Sequence, residues 1–169
     1  MGKRDTEYIV NERRKIMEFT IQKKPAFSLI GYSGAGKWKQ PIVYPIPELW
    51  KKAEQFIKTH QPLYITGVCL PPRSDHYFYT CGIEQERVAY EEVNEGMTVH
   101  TFPFLRYAVF THRGPAHLIP QTYDRIWNTF DEEGFNLLPG GPEIERVSVS
   151  LFGKEKADDY EMEIWLPII

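Results

Sequence analysis

Hydrophobic and polar residues alternate over several short stretches of the chain, a pattern that is typical of half-buried β-strands. Two other stretches, 47–59 and 116–133, carry apolar residues at helical spacing, so each is predicted to be an amphipathic helix. The main predicted strands are 26–32, 62–70 and 75–84 around the first helix, and 98–112, 143–152 and 159–168 around the second. The order strand, helix, strand, strand therefore occurs twice.

This internal repeat predicts the fold class. We expect an α+β protein in which a duplicated strand-helix-strand-strand unit has pseudo-two-fold symmetry, with antiparallel sheets, two helices and a central cleft between the halves. The halves span about 18–85 and 97–169 and together form a single domain, 18–169. Residues 1–17 interleave positive and negative charges, which indicates a solvated N-terminal arm ahead of that domain.

The composition excludes several classes of protein. The chain has 169 residues, a formal net charge of −3, 42% hydrophobic and 25% charged residues, values typical of one globular domain. It lacks the strong basic excess of a nucleic-acid binder and any apolar run of about 18 residues that could cross a membrane. Only two cysteines and no signal-peptide pattern predict a cytoplasmic location. We therefore expect a small-molecule partner, without direct binding to nucleic acid or membranes.

A glycine-rich segment follows the first predicted strand and is itself predicted to be a turn. Residues 31–37, Gly-Tyr-Ser-Gly-Ala-Gly-Lys, nearly match a phosphate-binding loop. The next residue is Trp38, which lacks the hydroxyl that holds magnesium in such loops, and Pro41 interrupts the helix that should follow. The five histidines and two cysteines show no metal-ligand spacing. The sequence thus predicts neither a cofactor nor a metal.

Glu145 is the most informative single residue. Alternate residues of a strand share one face, so Glu145 shares a face with Val147 and Val149, and its carboxylate points inward. Burial of an unpaired carboxylate is unfavourable, so this group must be paired, protonated, or placed in a cavity that receives a complementary group. The alternatives are a position at the frayed end of the strand and an ion pair with Arg106.

The last predicted strand adds a second carboxylate beside an aromatic ring. Its apolar face carries Met162 and Ile164, while Glu163 and Trp165 share the other face, which looks toward the groove if the helices cover the first. We expect a cavity in which carboxylates and rings attract an amphipathic aromatic or cationic ligand. The candidate ligand-binding residues are Glu145, Glu163, Trp165, Tyr107, Tyr32 and Tyr64.

Four segments resemble the GyrI-like small-molecule-binding family in their order and spacing. They are Tyr107-Ala108-Val109-Phe110-Thr111-His112-Arg113-Gly114, Thr122-Tyr123-Asp124-Arg125-Ile126-Trp127, Ile144-Glu145-Arg146 and Glu163-Ile164-Trp165-Leu166-Pro167-Ile168. The resemblance covers about 18–169 and is strongest over 97–169. This family is the effector-binding domain that is also attached to AraC-type and MerR-type multidrug regulators.

The resemblance implies a cleft between two repeats in which bulky aromatic, often cationic, compounds bind against a buried glutamate. The position that matches this glutamate is Glu145. A regulator of this type also carries a helix-turn-helix region, which the charged arm cannot supply. We therefore expect a stand-alone binding domain that sequesters or senses drugs or toxins.

The resemblance also implies an enzymatic alternative. The family includes stand-alone proteins that hydrolyse cyclopropane-containing DNA-alkylating natural products with acidic and aromatic residues of the cleft. In that case Glu145 and Glu163 are the candidate catalytic residues, one of which activates water. Inhibition of gyrase through the acidic stretch 84–95 and binding of haem are further hypotheses with less support. The sequence does not distinguish a monomer from a dimer.

Overall fold

The predicted α+β class is confirmed by the computed structural model, which describes residues 16–37, 45–71 and 76–169. In these residues the helices are α1 (Ile46–Ala53), α2 (Gln55–His60) and α3 (Ile119–Glu133). The strands are β1 (Phe19–Lys24), β2 (Phe27–Lys37), β3 (Tyr64–Leu70), β4 (His76–Gln85), β5 (Thr98–Phe102), β6 (Leu105–Arg113), β7 (Glu143–Ser148) and β8 (Glu161–Pro167). The first helical segment is α1 and α2 together, interrupted at Glu54.

All eight strands belong to one antiparallel sheet in the order β1-β6-β8-β7-β3-β4-β2-β5. The first repeat is β2, α1 with α2, β3 and β4, and the second is β6, α3, β7 and β8. The order β2-β4-β3 on one side of the central β3–β7 pair recurs as β6-β8-β7 on the other, so the predicted pseudo-two-fold duplication is confirmed. Each edge strand pairs across the repeats, β1 with β6 and β5 with β2.

The sheet is strongly curled, and the length of its connections requires this. Lys24 ends β1 and Phe27 begins β2, so the link spans at most about 11 Å. In a flat sheet these two strands would be six spacings apart, about 29 Å. The connection from Phe102 to Leu105, between β5 and β6, imposes the same limit. The sheet therefore has a convex face, which the helices cover and which we call the helix face, and a concave face.

Two apolar cores lie beneath the helices. The core under α3 includes Phe110, Ile126 and Ile164, and the core under α1 and α2 includes Phe56 and Ile65. A third core fills the concave face, with strands from both ends of the sheet. Its buried members are Phe27, Leu29, Val68, Phe102, Tyr107, Val109, Ile144 and Trp165. Both sides of the sheet are thus apolar near its centre.

The glycine-rich segment is not a turn, so that prediction is wrong. Residues 31–37 continue β2 and pair with His76–Gly82 of β4. Gly31 lies opposite Gly82, and a methyl group on Gly82 would overlap the Ile30 carbonyl oxygen. These glycines allow the two backbones to approach closely, which the pattern of a phosphate loop does not reveal.

Other predicted boundaries differ in smaller ways. The predicted strand 98–112 is divided by Pro103-Phe104 into β5 and β6, and the predicted strand 143–152 ends at Ser148 in a 3₁₀ turn. Most of the predicted charged arm, residues 1–15, lies outside the described residues. Met17, which was assigned to that arm, is buried beneath α3, and its backbone N–H donates to Thr129 Oγ1 at 3.0 Å.

Candidate functional site

Glu145 lies near the centre of the sheet, on the helix face. It shares this face of β7 with Val147, whose side chain belongs to the core beneath α3. Its register partner on β3 is Gly67, and a methyl group there would overlap the hydroxyl of Tyr79. The missing side chain at Gly67 therefore leaves the space in which the Tyr79 hydroxyl reaches Glu145. The Glu145 side chain remains partly exposed.

Two linked hydrogen bonds orient the Glu145 carboxylate. The Tyr79 hydroxyl donates to Glu145 Oε1 at 3.1 Å, and it accepts from Trp50 Nε1 at 3.0 Å. Tyr79 is fully buried in β4, whereas Trp50, on α1, packs against the cores of both halves. Side chains of the first repeat thus hold a carboxylate of the second.

A second carboxylate, Glu143, lies two residues earlier on the same face of β7. Its register partner on β3 is Cys69. Removal of water, and then the charge of Glu145, raises the pKa of Glu143 to about 7. Burial also raises the pKa of Glu145, and the hydrogen bond from Tyr79 opposes that increase. Burial and the two carboxylates together raise the pKa of the Cys69 thiol. Additional negative charge is therefore disfavoured here.

Aromatic side chains surround the two carboxylates. Besides Tyr79 and Trp50, Tyr123 extends from α3, and burial followed by the charges of Glu145 and Glu143 raises the pKa of its phenol well above the ordinary value. Among the residues that the structure describes, neither carboxylate forms an ion pair with a lysine, arginine or histidine. The site combines uncompensated negative charge with aromatic surface.

The structure does not bring the six predicted site residues into one cavity, so the expected arrangement of both carboxylates around one ligand is not found. In the β7–β8 register Glu145 lies opposite Ile164, and Arg146 lies opposite Glu163, which puts the two glutamates on opposite faces. Tyr32 is on the helix face, but β2 is three strands from β7, about 14 Å away. The residues on the concave face are Glu163, Trp165, Tyr107 and Tyr64.

Glu163 belongs to a charged network on the concave face. Arg146 Nη2 lies 2.8 Å from Glu163 Oε2, and Arg146 Nη1 lies 3.6 Å from Glu84 Oε2. Lys24 Nζ lies 2.6 Å from Glu84 Oε1. The Trp165 indole donates to Glu163 at 2.9 Å, so the indole is beside the carboxylate, as predicted. Each charge of this network has a partner of opposite sign, unlike the charge of Glu145.

Glu163 also lines an open concavity of about 820 Å³ between β1, β6 and the beginning of α3. Arg113 and Arg125 line it as well, and Glu145 does not. Among the described residues that line it, only Phe19 is aromatic. This concavity therefore lacks the aromatic walls that surround Glu145.

Sequence reasoning did not identify four residues of the site: Glu143, Tyr79, Trp50 and Tyr123. Glu143 has the same strand parity as Glu145, which was a usable signal. The other three lie on the apolar faces of a strand and two helices, where they were interpreted as core. Their polar atoms require hydrogen-bond partners once buried, and this requirement marks a tyrosine or tryptophan next to a buried acid as a candidate.

The described residues provide no evident metal site. No group of three or more histidine, cysteine, aspartate or glutamate side chains among them is arranged to hold an ion. Cys69 and Cys81 are free thiols. Within the same residues, no helix is long and apolar enough to span a membrane.

Glu143 should make stability depend on pH. The unfolded chain ionises this carboxyl near 4.5, but the folded chain keeps its proton up to about 7, so the free energy of unfolding falls as the pH rises between these values. Each unit of pKa shift corresponds to about 1.4 kcal/mol. With allowance for the partial exposure of Glu143, we expect the free energy of unfolding to fall by about 2 kcal/mol because of this group. Urea denaturation at pH 5 and pH 8 should therefore show Glu143→Gln gaining stability relative to the wild type at the higher pH. An unchanged difference between the two proteins would contradict this prediction, and Glu161→Gln, at an exposed position at the start of β8, is the control.

Comparison with known proteins identifies the family of this fold. Residues 17–169 match the family described as GyrI-like small molecule binding domain. The transcriptional regulator BrlR of Pseudomonas aeruginosa is 28% identical over 120 residues, which are 69% of this chain and 43% of that protein. The chain thus spans less than half the length of this relative.

Solved structures share the fold at low sequence identity. SAV2435 bound to tetraphenylphosphonium is similar with a TM-score of 0.72 and 18% identity, over 90% of this chain and 94% of that one. A hydrolase from Listeria innocua is similar with a TM-score of 0.57 and 12% identity, over 91% and 93% of the two chains. With the duplicated fold and a match over nearly its whole length, this chain belongs to the GyrI-like small-molecule-binding family.

Proposed function

We propose that this protein binds bulky aromatic cations in the site around Glu145, as a domain that sequesters or senses drugs or toxins. The observation that carries the proposal is the Glu145 carboxylate itself. It is oriented by Tyr79, it is partly exposed, and it has no ion-pair partner among the described residues. A bound cation would supply the positive charge that the described residues do not.

The chemistry of the surrounding groups supports this class of ligand. A poorly hydrated carboxylate gains more from a positive partner than a surface carboxylate does, because less water has to be removed. The rings of Trp50, Tyr79 and Tyr123 offer apolar area and an electron-rich face, both of which suit a cation that carries aromatic groups. Tetraphenylphosphonium, which is bound to the structurally similar SAV2435, has this character.

A pair of ions of nearly equal size and shape tests the proposal. By isothermal titration calorimetry, we expect the wild type to bind tetraphenylphosphonium and not tetraphenylborate, because only the first complements Glu145. We expect Glu145→Gln to weaken tetraphenylphosphonium by about 1–3 kcal/mol, or about 5- to 150-fold, since it keeps the shape and removes the charge. Glu161→Gln is the matched control. Equal binding of both ions, or no effect of Glu145→Gln, would contradict the proposal.

A second candidate function is hydrolysis of strained electrophiles such as cyclopropane-containing alkylators. The observation that favours it is the pair of carboxylates on one face of β7, because Glu143 holds a proton near neutral pH beside Glu145. Glu145 would take a proton from a water molecule while the oxygen of that water attacks a carbon of the cyclopropane ring. The carbon–carbon bond would break, and Glu143 would protonate the conjugated carbonyl that receives the electron pair. Glu163, on the other face of the sheet, would not share this substrate with Glu145.

Turnover distinguishes the two functions. The purified protein is incubated with tetraphenylphosphonium and with a cyclopropane-bearing alkylator, and mass spectrometry follows both compounds and the protein. A water-added product in many-fold excess over protein would establish the hydrolase. Compound recovered unchanged after retention by the wild type, and not retained by Glu145→Gln, would establish binding without turnover.

A further inference from the structure

The two carboxylates of β7 define the ligand class more narrowly than a single anchor does. Glu143 and Glu145 point from the same face of one strand, so their Cα atoms are about 7 Å apart. Resting on the proposed function, we infer that this site prefers flat aromatic dications whose two positive centres have a similar separation, one for each carboxylate.

The described groups around the pair do not compensate either negative charge. On β3 the register partner of Glu143 is Cys69, and that of Glu145 is Gly67, which has no side chain. On β4 and α3 the titratable neighbours are the thiol of Cys81 and the phenols of Tyr79 and Tyr123. Tyr160, ahead of β8, is a further phenol whose pKa is affected by Glu145. All of these side chains are neutral or become negative, so within the described part of the chain the positive charge is left for a ligand to bring.

A monocation and a dication therefore meet this site differently. A single positive centre at Glu145 leaves Glu143 without a partner, and below its pKa of about 7 Glu143 then stays mostly protonated. A second positive centre favours the ionised form of Glu143, and the proton leaves on binding. Affinity for a dication should then rise with pH, whereas affinity for a monocation should change little.

The test uses two probes of nearly equal shape with permanent charges. N,N′-dimethyl-4,4′-bipyridinium is the dication, and N-methyl-4-phenylpyridinium is the matched monocation. We expect the wild type at pH 8 to bind the dication at least about tenfold more tightly by calorimetry. Ionisation of a group with a pKa of about 7 changes by about tenfold between pH 6 and pH 8, so the affinity for the dication should fall by that factor at pH 6.

Variants separate this inference from the proposed function. Glu143→Gln should abolish the preference for the dication and its pH dependence while it retains monocation binding, and Glu145→Gln should weaken both probes. Glu161→Gln is the control, and circular dichroism checks that each variant is folded. The pH series on the wild type tests the inference without any substitution.

Each remaining outcome decides against a defined claim. Equal affinity of the wild type for the two probes, or an equal loss for both in Glu143→Gln, overturns the preference for dications. If the preference for dications is overturned but Glu145→Gln still lowers the affinity for the monocation, the proposed function stands. If the wild type binds neither probe and also fails to bind tetraphenylphosphonium, the proposed function is wrong and this inference is wrong with it.

Discussion

Arg146→Met is expected to destabilise the fold by about 3 kcal/mol, measured by urea denaturation. The side chain is 18% exposed and lies between Glu163 and Glu84, which are 32% and 17% exposed. Its guanidinium also lies 4.2 Å from the centroid of the Tyr64 ring and 4.9 Å from that of Trp165. Removing one partner of a buried ion pair costs about 3–5 kcal/mol, because the remaining charge is left without compensation. We expect the lower end of this range of costs because the Glu163 side chain retains contact with water.

An exposed ion pair on the same sheet is the control for this prediction. Arg113 and Glu161 are 71% and 49% exposed, so Arg113→Met should cost no more than about 1 kcal/mol. If Arg146→Met loses no more stability than Arg113→Met, the concave-face network does not contribute to the fold as described. The double variant Arg146→Met, Glu163→Gln should recover part of the loss, because it removes the charge that loses its partner, whereas Glu84 keeps Lys24.

Gly82→Ala is expected to have a larger effect, at least about 4 kcal/mol, and to leave much of the protein unfolded. A methyl group at this position of β4 would overlap the Ile30 carbonyl oxygen and lie 2.6 Å from the Gly31 Cα atom. Both obstacles are backbone atoms of β2, so no side chain can move aside. Thermal melting followed by circular dichroism measures the effect.

Another glycine separates this steric effect from the general cost of losing a glycine. Gly134 ends α3 with φ 67°, and a methyl group there would meet no atom within 4 Å. Gly134→Ala should therefore cost only about 1 kcal/mol, for the left-handed backbone alone. Similar losses in both variants would mean that the close approach of β2 and β4 is not what requires Gly82.

Strand parity predicted more of the site than the motifs did. The alternation around Glu145 placed it with Val147, and the alternation around Glu163 placed it with Trp165, and both assignments agree with the structure. Parity within a strand does not say how two strands align. The β7–β8 register separates the two glutamates, and register depends on pairing across the whole sheet, which one sequence does not contain.

The curl of the sheet explains another failure of sequence reasoning. Period-2 patterns predicted most of the strands, because each strand has an apolar face against a core. These patterns do not show that the concave face also encloses a core. That core forms because the β1–β2 and β5–β6 connections join opposite ends of the strand order and so curl the sheet. The sequence predicts Tyr107 and Trp165 as walls of the ligand cavity, Trp165 because it shares a strand face with Glu163. Here they meet each other, with centroids 5.8 Å apart.

The pairing of the edge strands has a consequence for how such a fold can arise. β1 precedes β2 in the chain but completes the sheet beside β6, and β5 precedes β6 but completes it beside β2. The strand that precedes each repeat in the chain therefore pairs with the other repeat. A half-length ancestor could have built the same eight-stranded sheet only as a strand-swapped homodimer. Gene duplication and fusion would then have turned an intermolecular exchange into an intramolecular one, after which the two copies of the repeat were free to diverge.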